Sequence, residues 1–153
     1  MKMNRISNVR LNTKTKKMAF FLKKNMEIKT KYPWNLALST RSYLFLDFDC
    51  PRKTKACLNE ARKITKAFSR KFRCFAVLYE TPNGYHAVIK KKMKWRTLRS
   101  IIAGLIEKIE QKKFKYLDKA HLKACLERGY LTLRLNQIRE VAIYVEGEEY
   151  VVK

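Results

Sequence analysis

Alternating strand-type and helix-type apolar patterns constrain the fold of this chain more than any other feature of its sequence. Residues 43–49 form a short run of aromatic and apolar side chains that predicts a buried strand, and Pro51 ends it. Residues 54–71 and 95–109 instead carry apolar side chains at steps of three and four residues, which predicts two amphipathic helices. The chain therefore combines both kinds of element.

Two further strands are predicted between these helices. Residues 74–79 and 85–89 are rich in apolar side chains, and the segment 81–84 supplies Pro, Asn and Gly for a turn between them. The resulting order, strand–helix–strand–strand–helix–strand, is typical of ferredoxin-like and RNA-recognition-motif-like (RRM-like) α+β folds, in which helices cover one face of an antiparallel sheet. In that topology the first and third strands are central neighbours.

The C-terminal part of the chain adds shorter elements. Asp118 is placed to cap a short helix that ends at Gly129, because Asp accepts hydrogen bonds at helix starts and Gly adopts the left-handed conformation at helix ends. Strand-type segments are predicted at 115–117, 130–135, 141–145 and 149–152. The last two segments predict a C-terminal β-hairpin.

The chain is 153 residues long, which suits one domain, and its charge is extreme for that size. It carries 36 Lys and Arg against 13 Asp and Glu, a formal net charge of +23. Such self-repulsion favours a polyanionic partner, and DNA or RNA is the expected one. Residues 1–17 hold six of the cations. They predict a basic N-terminal arm, either a phosphate-binding tail or a solvated terminus, ahead of a single domain over residues 18–153, in which residues 18–31 form a strand pair or a short helix.

No membrane segment and no disulfide framework are expected. No apolar run approaches the ~20 residues that span a bilayer, and the first 17 residues lack the apolar segment of a secretory signal. The four cysteines, Cys50, Cys57, Cys74 and Cys125, form no CxxC pair, which favours separate reduced thiols. A cytoplasmic protein is therefore expected, and the high Lys content with few Gly and Pro also suits a thermophile.

The chain contains three aspartates, and two of them, Asp47 and Asp49, end the first strand. Because side chains alternate along a strand, Tyr43, Phe45 and both acids share one face. With the aliphatic face packed on the helices, the two carboxylates would lie about 7 Å apart on an open sheet face. Carboxylate oxygens suit Mg²⁺ or Mn²⁺, particularly where substrate phosphates complete the coordination. The alternative is a strand end that simply faces water.

Polar residues on two other strands are candidates to surround this acidic pair. His86 and Lys90 share one face of their strand, so the imidazole would lie beside the acids if that face is the open one. Thr132 and Arg134 alternate with leucines on a later strand, and Arg binds a triphosphate well through paired hydrogen bonds. These four residues are the candidate phosphate ligands. The alternatives are a structural histidine and an ordinary solvated sheet face, and His121 is expected to be structural.

The order of these acidic and histidine motifs along the chain resembles that of the archaeo-eukaryotic primase superfamily, which includes the small archaeal plasmid and viral primase-polymerases. Members of that family carry a hydrophobic strand ending in Asp-x-Asp, a small-x-His motif on a neighbouring strand, and a third acid after another strand. Residues 44–49 resemble the first motif, residues 81–86 the second and residues 116–118 the third, and the strand with Arg134 resembles the segment that follows. The resemblance spans about residues 42–136.

The resemblance implies a metal-dependent nucleotidyltransferase of DNA replication, with primase or polymerase activity on nucleoside triphosphates. Asp47, Asp49 and Asp118 would hold two divalent ions, Mg²⁺ or Mn²⁺, while His86 would contact the incoming phosphates and Arg134 the triphosphate. One ion would activate the 3′-hydroxyl and the other would stabilise the departing pyrophosphate. The resemblance also implies an archaeal virus or plasmid origin and the host cytoplasm as location, and it allows a replication partner protein.

Two other functions fit the same residues. A non-catalytic, RRM-like nucleic-acid-binding module would stack bases on Tyr43 and Phe45 and hold phosphates through cations of the first helix. These cations include Arg62, Lys63, Lys66, Arg70 and Lys71. Such a module would bind equally well without metal. The third interpretation, a metal-dependent replication nuclease, needs paired histidines around one apolar residue and a nucleophilic Tyr, and only His86 stands in a suitable strand.

Overall fold

In a computed structural model the protein is an α+β fold, and the structure describes residues 4–5, 37–134 and 138–152. The elements are, in chain order, β1 (Asn4–Arg5), β2 (Ala37–Thr40), β3 (Leu44–Asp49), α1 (Lys55–Lys71), β4 (Phe75–Thr81), β5 (Gly84–Lys90), α2 (Trp95–Glu110), α3 (Lys119–Arg128), β6 (Leu131–Arg134), β7 (Arg139–Val145) and β8 (Glu148–Val151). The predicted elements between β3 and α2 are each observed to within two residues at either end.

Six strands form the main sheet, in the order β1-β8-β7-β4-β5-β3. Neighbouring strands are antiparallel, except that β1 pairs parallel with β8. The last two strands, β7 and β8, are antiparallel neighbours joined at Glu146 and Gly147, where Gly147 takes a φ of 89°. Strands β2 and β6 pair separately as a two-stranded antiparallel sheet.

The strand order places β3 at one edge of the main sheet. β3 and β5 are neighbours, as predicted for the first and third strands, but they are not central, because β7 lies beside β4 and these two are the middle pair of the six strands. β6 pairs with β2, a strand that the sequence did not predict. The predicted strand at 115–117 is reduced to a single antiparallel bridge between Phe48 and Leu117, on the outer side of β3.

Helix α1 covers one face of the main sheet. It contacts β4, β5 and β7, and its Leu58 lines a cavity together with Leu78 and Tyr85. The strand registers place Leu46 on that same face, and both Leu46 and Leu78 are fully buried. Burying a leucine side chain contributes roughly 1.5–3 kcal/mol, so this face is a principal source of stability.

The opposite face of the sheet is buried as well. Phe45, Val88 and Val77 form a cross-strand row on it, and each is at most 4% exposed. The expectation of an open sheet face is therefore wrong. The physical reason is visible in β4, whose sequence Phe-Ala-Val-Leu-Tyr is apolar at every position, and strands of that kind are buried on both faces.

Two of the three helices, α1 and α3, begin at residues whose side chains cap the first turn. The Thr54 side chain accepts a hydrogen bond from the Cys57 amide at the start of α1. Asp118 caps α3 by accepting from the His121 amide, and Gly129 ends that helix with a φ of 83°, which confirms the predicted helix. Each such N-cap contributes about 1 kcal/mol. None of the helices in the described ranges has the length and the apolar sequence needed to cross a bilayer.

Cys50 and Cys57 form a disulfide that joins the end of β3 to the first turn of α1. The expectation of reduced thiols is wrong for this pair, whereas Cys74 and Cys125 are buried outside any disulfide. A tight turn at residues 51–52 folds the chain back, so the two Cα atoms lie 6.3 Å apart, within the range that a disulfide bridges. The sequence spacing alone did not show this turn.

Most of the N-terminal predictions fall outside the described residues. Of the predicted basic arm at 1–17, only Asn4 and Arg5 are described, and they pair with Tyr150 and Val151 of β8. The strand pair or short helix predicted at 18–31 lies entirely outside the described ranges. The site is therefore built from residues 37–134 and 138–152.

Candidate functional site

Asp47 and His86 face each other across β3 and β5. The register pairs the two residues directly, and Asp47 Oδ1 lies 3.1 Å from His86 Nε2. The Asp47 side chain is 28% exposed, whereas the imidazole is 11% exposed. Directly opposed residues on antiparallel strands are near enough to interact side chain to side chain. The predicted proximity of the acid and the imidazole is therefore observed.

Asp49 lies two residues further along the same face and is exposed. The strand rise places it about 7 Å from Asp47. Its register partner is Gly84, where an added Cβ would collide with the backbone oxygen of Phe48. Gly84 therefore lets the β4–β5 turn approach closely the end of β3 that carries Asp47 and Asp49.

The segment 116–118 brings the third aspartate to the outer edge of β3. The Asp118 amide donates to the Asp47 carbonyl at 2.8 Å, and the Asp49 amide donates to the Tyr116 carbonyl at 2.9 Å. Asp47, Asp49 and Asp118 are the three aspartates of the chain, and they lie at the same end of β3. The group of these three residues is called the acidic end of β3.

Glu60 of α1 holds that segment in place. Its carboxylate oxygens accept hydrogen bonds from the three consecutive amides at 115–117, at 2.6, 2.6 and 2.9 Å. Hydrogen bonds to an ionised carboxylate are roughly twice as strong as neutral ones, and converging amides form a natural anion-binding nest. Glu60 therefore positions Asp118 beside Asp47 through the backbone.

The charge of Asp47 affects the pKa of His121 on α3. Its Nε2 donates to the Thr132 carbonyl at 2.8 Å and lies 3.7 Å from Cys125 Sγ. Burial lowers the pKa of His121, but the hydrogen bond and charge of Cys125, the Thr132 carbonyl and the charge of Asp47 outweigh it and raise the pKa. The raised pKa favours a positively charged imidazole near the acidic end of β3.

Three buried polar atoms near the acids have no hydrogen-bond partner within the described ranges, namely His86 Nδ1, His121 Nδ1 and the Tyr79 hydroxyl. Tyr79 is the register partner of His86 on β4 and is 1% exposed, and its burial raises the pKa of the hydroxyl. A buried polar group without a partner costs about 1–3 kcal/mol. The row Asp47–His86–Tyr79 therefore holds polar groups at a cost to stability, which is a common property of functional sites.

Of the two aromatic residues predicted to stack bases, Phe45 is buried and Tyr43 is partly buried. Phe45 is 4% exposed, so its predicted exposure is wrong. Tyr43 is partly buried, and Lys90 Nζ lies 3.6 Å from the centre of its ring. Burial lowers the pKa of Lys90 to about 8. Lys90 follows His86 by four residues, about 13 Å along β5, and therefore lies away from the acids.

Thr132 and Arg134 lie on β6, in the two-stranded sheet. That strand pairs with β2 and contacts β3. The Thr132 hydroxyl accepts from Arg128 Nη2 at 2.9 Å, and Arg134 is exposed at the end of the strand. The predicted polar row therefore flanks β3 from a second sheet, which corrects the expectation of a row on the main sheet.

The predicted nucleic-acid contacts Arg62, Lys66 and Arg70 lie on α1, which covers the sheet face opposite to the aspartates. Arg62 binds both oxygens of Glu149, with Nε–Oε1 at 2.9 Å and Nη2–Oε2 at 3.0 Å. The sequence grouped these cations with Tyr43 and Phe45 in one nucleic-acid-binding surface, but the fold places α1 on the opposite face of the sheet from Phe45.

The acidic end of β3 offers hard oxygen ligands for a divalent cation. Within the described ranges, no three His, Cys, Asp or Glu side chains are placed to hold a metal ion by themselves. Mg²⁺ commonly binds one or two carboxylates, several waters and substrate phosphates. Asp47 and the exposed Asp49 supply two carboxylates, and Asp118 Oδ1 is engaged in capping α3. The donor set fits an ion whose coordination a substrate phosphate completes.

Sequence reasoning missed two residues of the site. His121 follows the capping Asp118 by three positions, so the predicted helix start already placed it on the first turn beside that acid. Glu60 had no comparable signal, because its role depends on the approach of α1 to a segment more than fifty residues away. Only the fold reveals contacts of that kind.

Comparison of this chain with protein-family models, with curated proteins and with solved structures finds no match in any of the three.

Proposed function

We propose that this protein is a metal-dependent nucleotidyltransferase that acts on a nucleic-acid template, of the primase-polymerase type that its motifs resemble. One observation carries the proposal: residues of all three motifs meet at the acidic end of β3. His86 Nε2 lies 3.1 Å from Asp47, and the Asp47 carbonyl accepts the amide of Asp118. Three separate segments of the chain contribute, as the resemblance requires.

In this proposal Asp47 and Asp49 hold the divalent ions, with Asp118 as the third acid. Bound Mg²⁺ or Mn²⁺ supplies activation of the 3′-hydroxyl and stabilisation of the departing pyrophosphate. His86 Nε2 lies 3.1 Å from Asp47 Oδ1, and this contact would orient the imidazole for the incoming phosphates. Arg134 and Thr132 are the further phosphate ligands proposed, whereas Lys90, which lies away from the acids over the Tyr43 ring, is not one of them.

The proposed partners follow from charge and chemistry. A net charge of +23 favours long-lived contact with a DNA or RNA template, since each neutralised phosphate releases a counterion. Nucleoside triphosphates bring the phosphate oxygens that complete the coordination of Mg²⁺.

An extension assay tests the proposal. The protein is incubated with a template, labelled nucleotides and Mn²⁺ or Mg²⁺, with and without a primer. We expect extension by the wild type, its loss on addition of EDTA, and at least about a 100-fold lower rate for Asp47→Asn plus Asp49→Asn. Losing an essential metal ligand removes several kcal/mol of transition-state stabilisation, and 1.4 kcal/mol is tenfold in rate.

The matched control is Glu107→Gln plus Glu148→Gln, which removes two exposed carboxylates, one on α2 and one on β8, a strand separated from β3 by three others in the sheet. This control should extend primers like the wild type. No extension by the wild type with either metal, or equal extension by the aspartate variant, would contradict the proposal.

A second candidate is a non-catalytic nucleic-acid-binding protein, and a groove lined by cations on α1 favours it. The same assay separates the two functions. Binding to the template that is unchanged by EDTA and by the aspartate substitutions, without extension by any variant, would support the binding protein.

A further inference from the structure

We infer that the outer side of α1 is a nucleic-acid backbone site, separate from the acidic end of β3 and on the other side of the sheet. The site is a groove of about 510 Å³ lined by Asn59, Arg62, Lys63, Lys66, Ala67, Arg70 and Glu149. This inference goes beyond the proposed function, because it assigns a second surface that needs neither metal nor nucleotide.

The groove follows one continuous side of the helix. Positions 62, 66 and 70 recur at steps of four, and 59, 63 and 67 run parallel to them, so the lining residues share one face. The rise of 1.5 Å per residue spreads the cations over about 12 Å. That length spans several phosphates of one strand of a nucleic acid.

The lining carries four cationic side chains against one carboxylate. That carboxylate, Glu149, already accepts both hydrogen bonds of the Arg62 fork and one from the Tyr144 hydroxyl at 2.6 Å. Its charge is therefore neutralised inside the groove, and the groove keeps a positive excess. Lys63 and Arg70 are exposed, so that excess faces solvent.

Two small residues, Ala67 and Gly147, leave room for a nucleic-acid strand to approach the groove closely. Ala67 lies between the cations. Arg70 packs against the β7–β8 turn, where a Cβ added to Gly147 would lie 2.9 Å from Arg70 Cβ. The absence of a side chain at Gly147 therefore lets α1 and the turn pack together. This packing fixes the position of the Arg70 Cβ at the end of the groove.

The chemistry of the groove favours a nucleic acid over an anionic membrane. Binding in a membrane interface requires exposed apolar side chains that insert beside the cations. In the described part of the chain, the exposed large hydrophobic residue is Tyr130, in the connection between α3 and β6, and the groove contains no aromatic residue. Cations without apolar anchors suit a sugar–phosphate backbone.

The test measures binding of a fluorescently labelled 20-nucleotide DNA strand, the same sequence as RNA, and the DNA duplex, without metal or nucleotide. The variant Lys63→Glu, Lys66→Glu, Arg70→Glu is compared with Arg96→Glu, Arg99→Glu, Lys123→Glu, which changes the net charge equally through exposed helix residues outside the groove. Circular dichroism and thermal unfolding confirm that each variant is folded.

We expect the groove variant to bind at least one of the three nucleic acids about 30-fold or more weakly at 100 mM salt, and the control less than about fivefold. The slope of log Kd against log salt should fall by about 2–3 for the groove variant, since each lost phosphate contact removes about 0.7–0.9. The ligand with the largest loss identifies which nucleic acid the groove binds.

Equal losses in the two variants would show that only total charge matters and would overturn the inference. So would wild-type affinity of the groove variant for all three nucleic acids, including the case in which only its binding to phosphatidylserine vesicles, measured in parallel, is weakened. The proposed function is tested apart from this, because Asp47→Asn plus Asp49→Asn should keep the oligonucleotide affinity whether or not the wild type extends primers.

Discussion

Glu149 is the one buried carboxylate within the described ranges, at 5% exposed; its two hydrogen bonds from Arg62 join α1 to β8, and a third comes from Tyr144 of β7. Burial by itself raises the pKa of this carboxyl, but the hydrogen bonds from Arg62 and Tyr144 outweigh burial and lower the pKa below its ordinary value. A buried carboxylate with this many donors is stable only in its ionised form. Glu149 therefore links stability to pH.

We predict that Glu149→Gln lowers the free energy of unfolding by about 2–4 kcal/mol at pH 7, because it removes the negative partner of a largely buried arginine. A carboxyl with a lowered pKa stabilises the folded state above its unfolded pKa of about 4.5, and this contribution is lost as pH falls through the lower, folded pKa. Urea unfolding between pH 7 and pH 3 measures the difference.

The matched control is Glu148→Gln, one residue earlier and exposed, which should change stability by no more than about 0.5 kcal/mol. A difference between wild type and Glu149→Gln that stays constant down to pH 3 would contradict this account of Glu149.

At the same scale, the sequence predicted the acidic site only in part. Strand alternation is a short-range property, so it correctly placed Asp47 and Asp49 on one face, and the adjacency of strands placed His86 beside them. Alternation does not say what covers a face, and the predicted exposure of Phe45 failed for that reason. The effect of the Asp47 charge on the pKa of His121 depends on tertiary packing.

Among the elements, the segment 115–117 depends on α1 for its position. Glu60 accepts its three amides, and the following Asp118 amide bonds to β3. We predict that Glu60→Ala lowers the free energy of unfolding by about 2–4 kcal/mol, since each hydrogen bond to a charged group contributes roughly 1.5–3 kcal/mol and water replaces part of this. Chemical denaturation measures the loss.

If Glu60 is a positioning residue for the acidic site, its loss should also reduce primer extension at temperatures where the variant is fully folded. Affinity for the oligonucleotide should stay within about twofold of wild type. Glu107→Ala, an exposed carboxylate of α2, is the control for both measurements. Wild-type stability in Glu60→Ala would show that the three hydrogen bonds contribute nothing measurable.

The disulfide ties the end of β3 to α1, next to Asp49. We predict that Cys50→Ser plus Cys57→Ser, or addition of a reductant, lowers stability by about 2–3 kcal/mol, because a loop of roughly eight residues is no longer closed in the unfolded chain. Thermal unfolding with and without dithiothreitol measures this. The reductant should have no effect on the double variant; an equal effect on both proteins would contradict the prediction.

Element types were predictable here, whereas their arrangement was not. The stripes of α1 and α2 and the apolar run of β4 are local patterns, and each identified its element. Which strand lies beside β4 depends on competing long-range pairings: β7 takes that place and β6 pairs with β2. The continuous apolar sequence of β4 did contain the information that both sheet faces are covered.

For the whole molecule, charge is the dominant property, and it acts in opposite directions on folding and on binding. The excess of 23 positive charges repels itself in the compact state, and added salt screens that repulsion. The same salt weakens attachment to a nucleic acid, because binding no longer gains as much from counterion release. Added salt should therefore stabilise this folded chain, whereas it would weaken any binding to a nucleic acid.

We predict that raising sodium chloride from 50 to 500 mM increases the midpoint of thermal unfolding by about 2–6 °C, which corresponds to roughly 1–2 kcal/mol for a chain of this length. Sodium chloride is chosen because sulfate would stabilise almost any protein through exclusion from its surface. The variant Lys63→Glu, Lys66→Glu, Arg70→Glu has a net positive charge lower by six and should show a smaller increase. A midpoint that is unchanged or falls with salt would mean that the positive charges are already compensated within the folded chain. The net charge would then no longer favour a nucleic-acid partner.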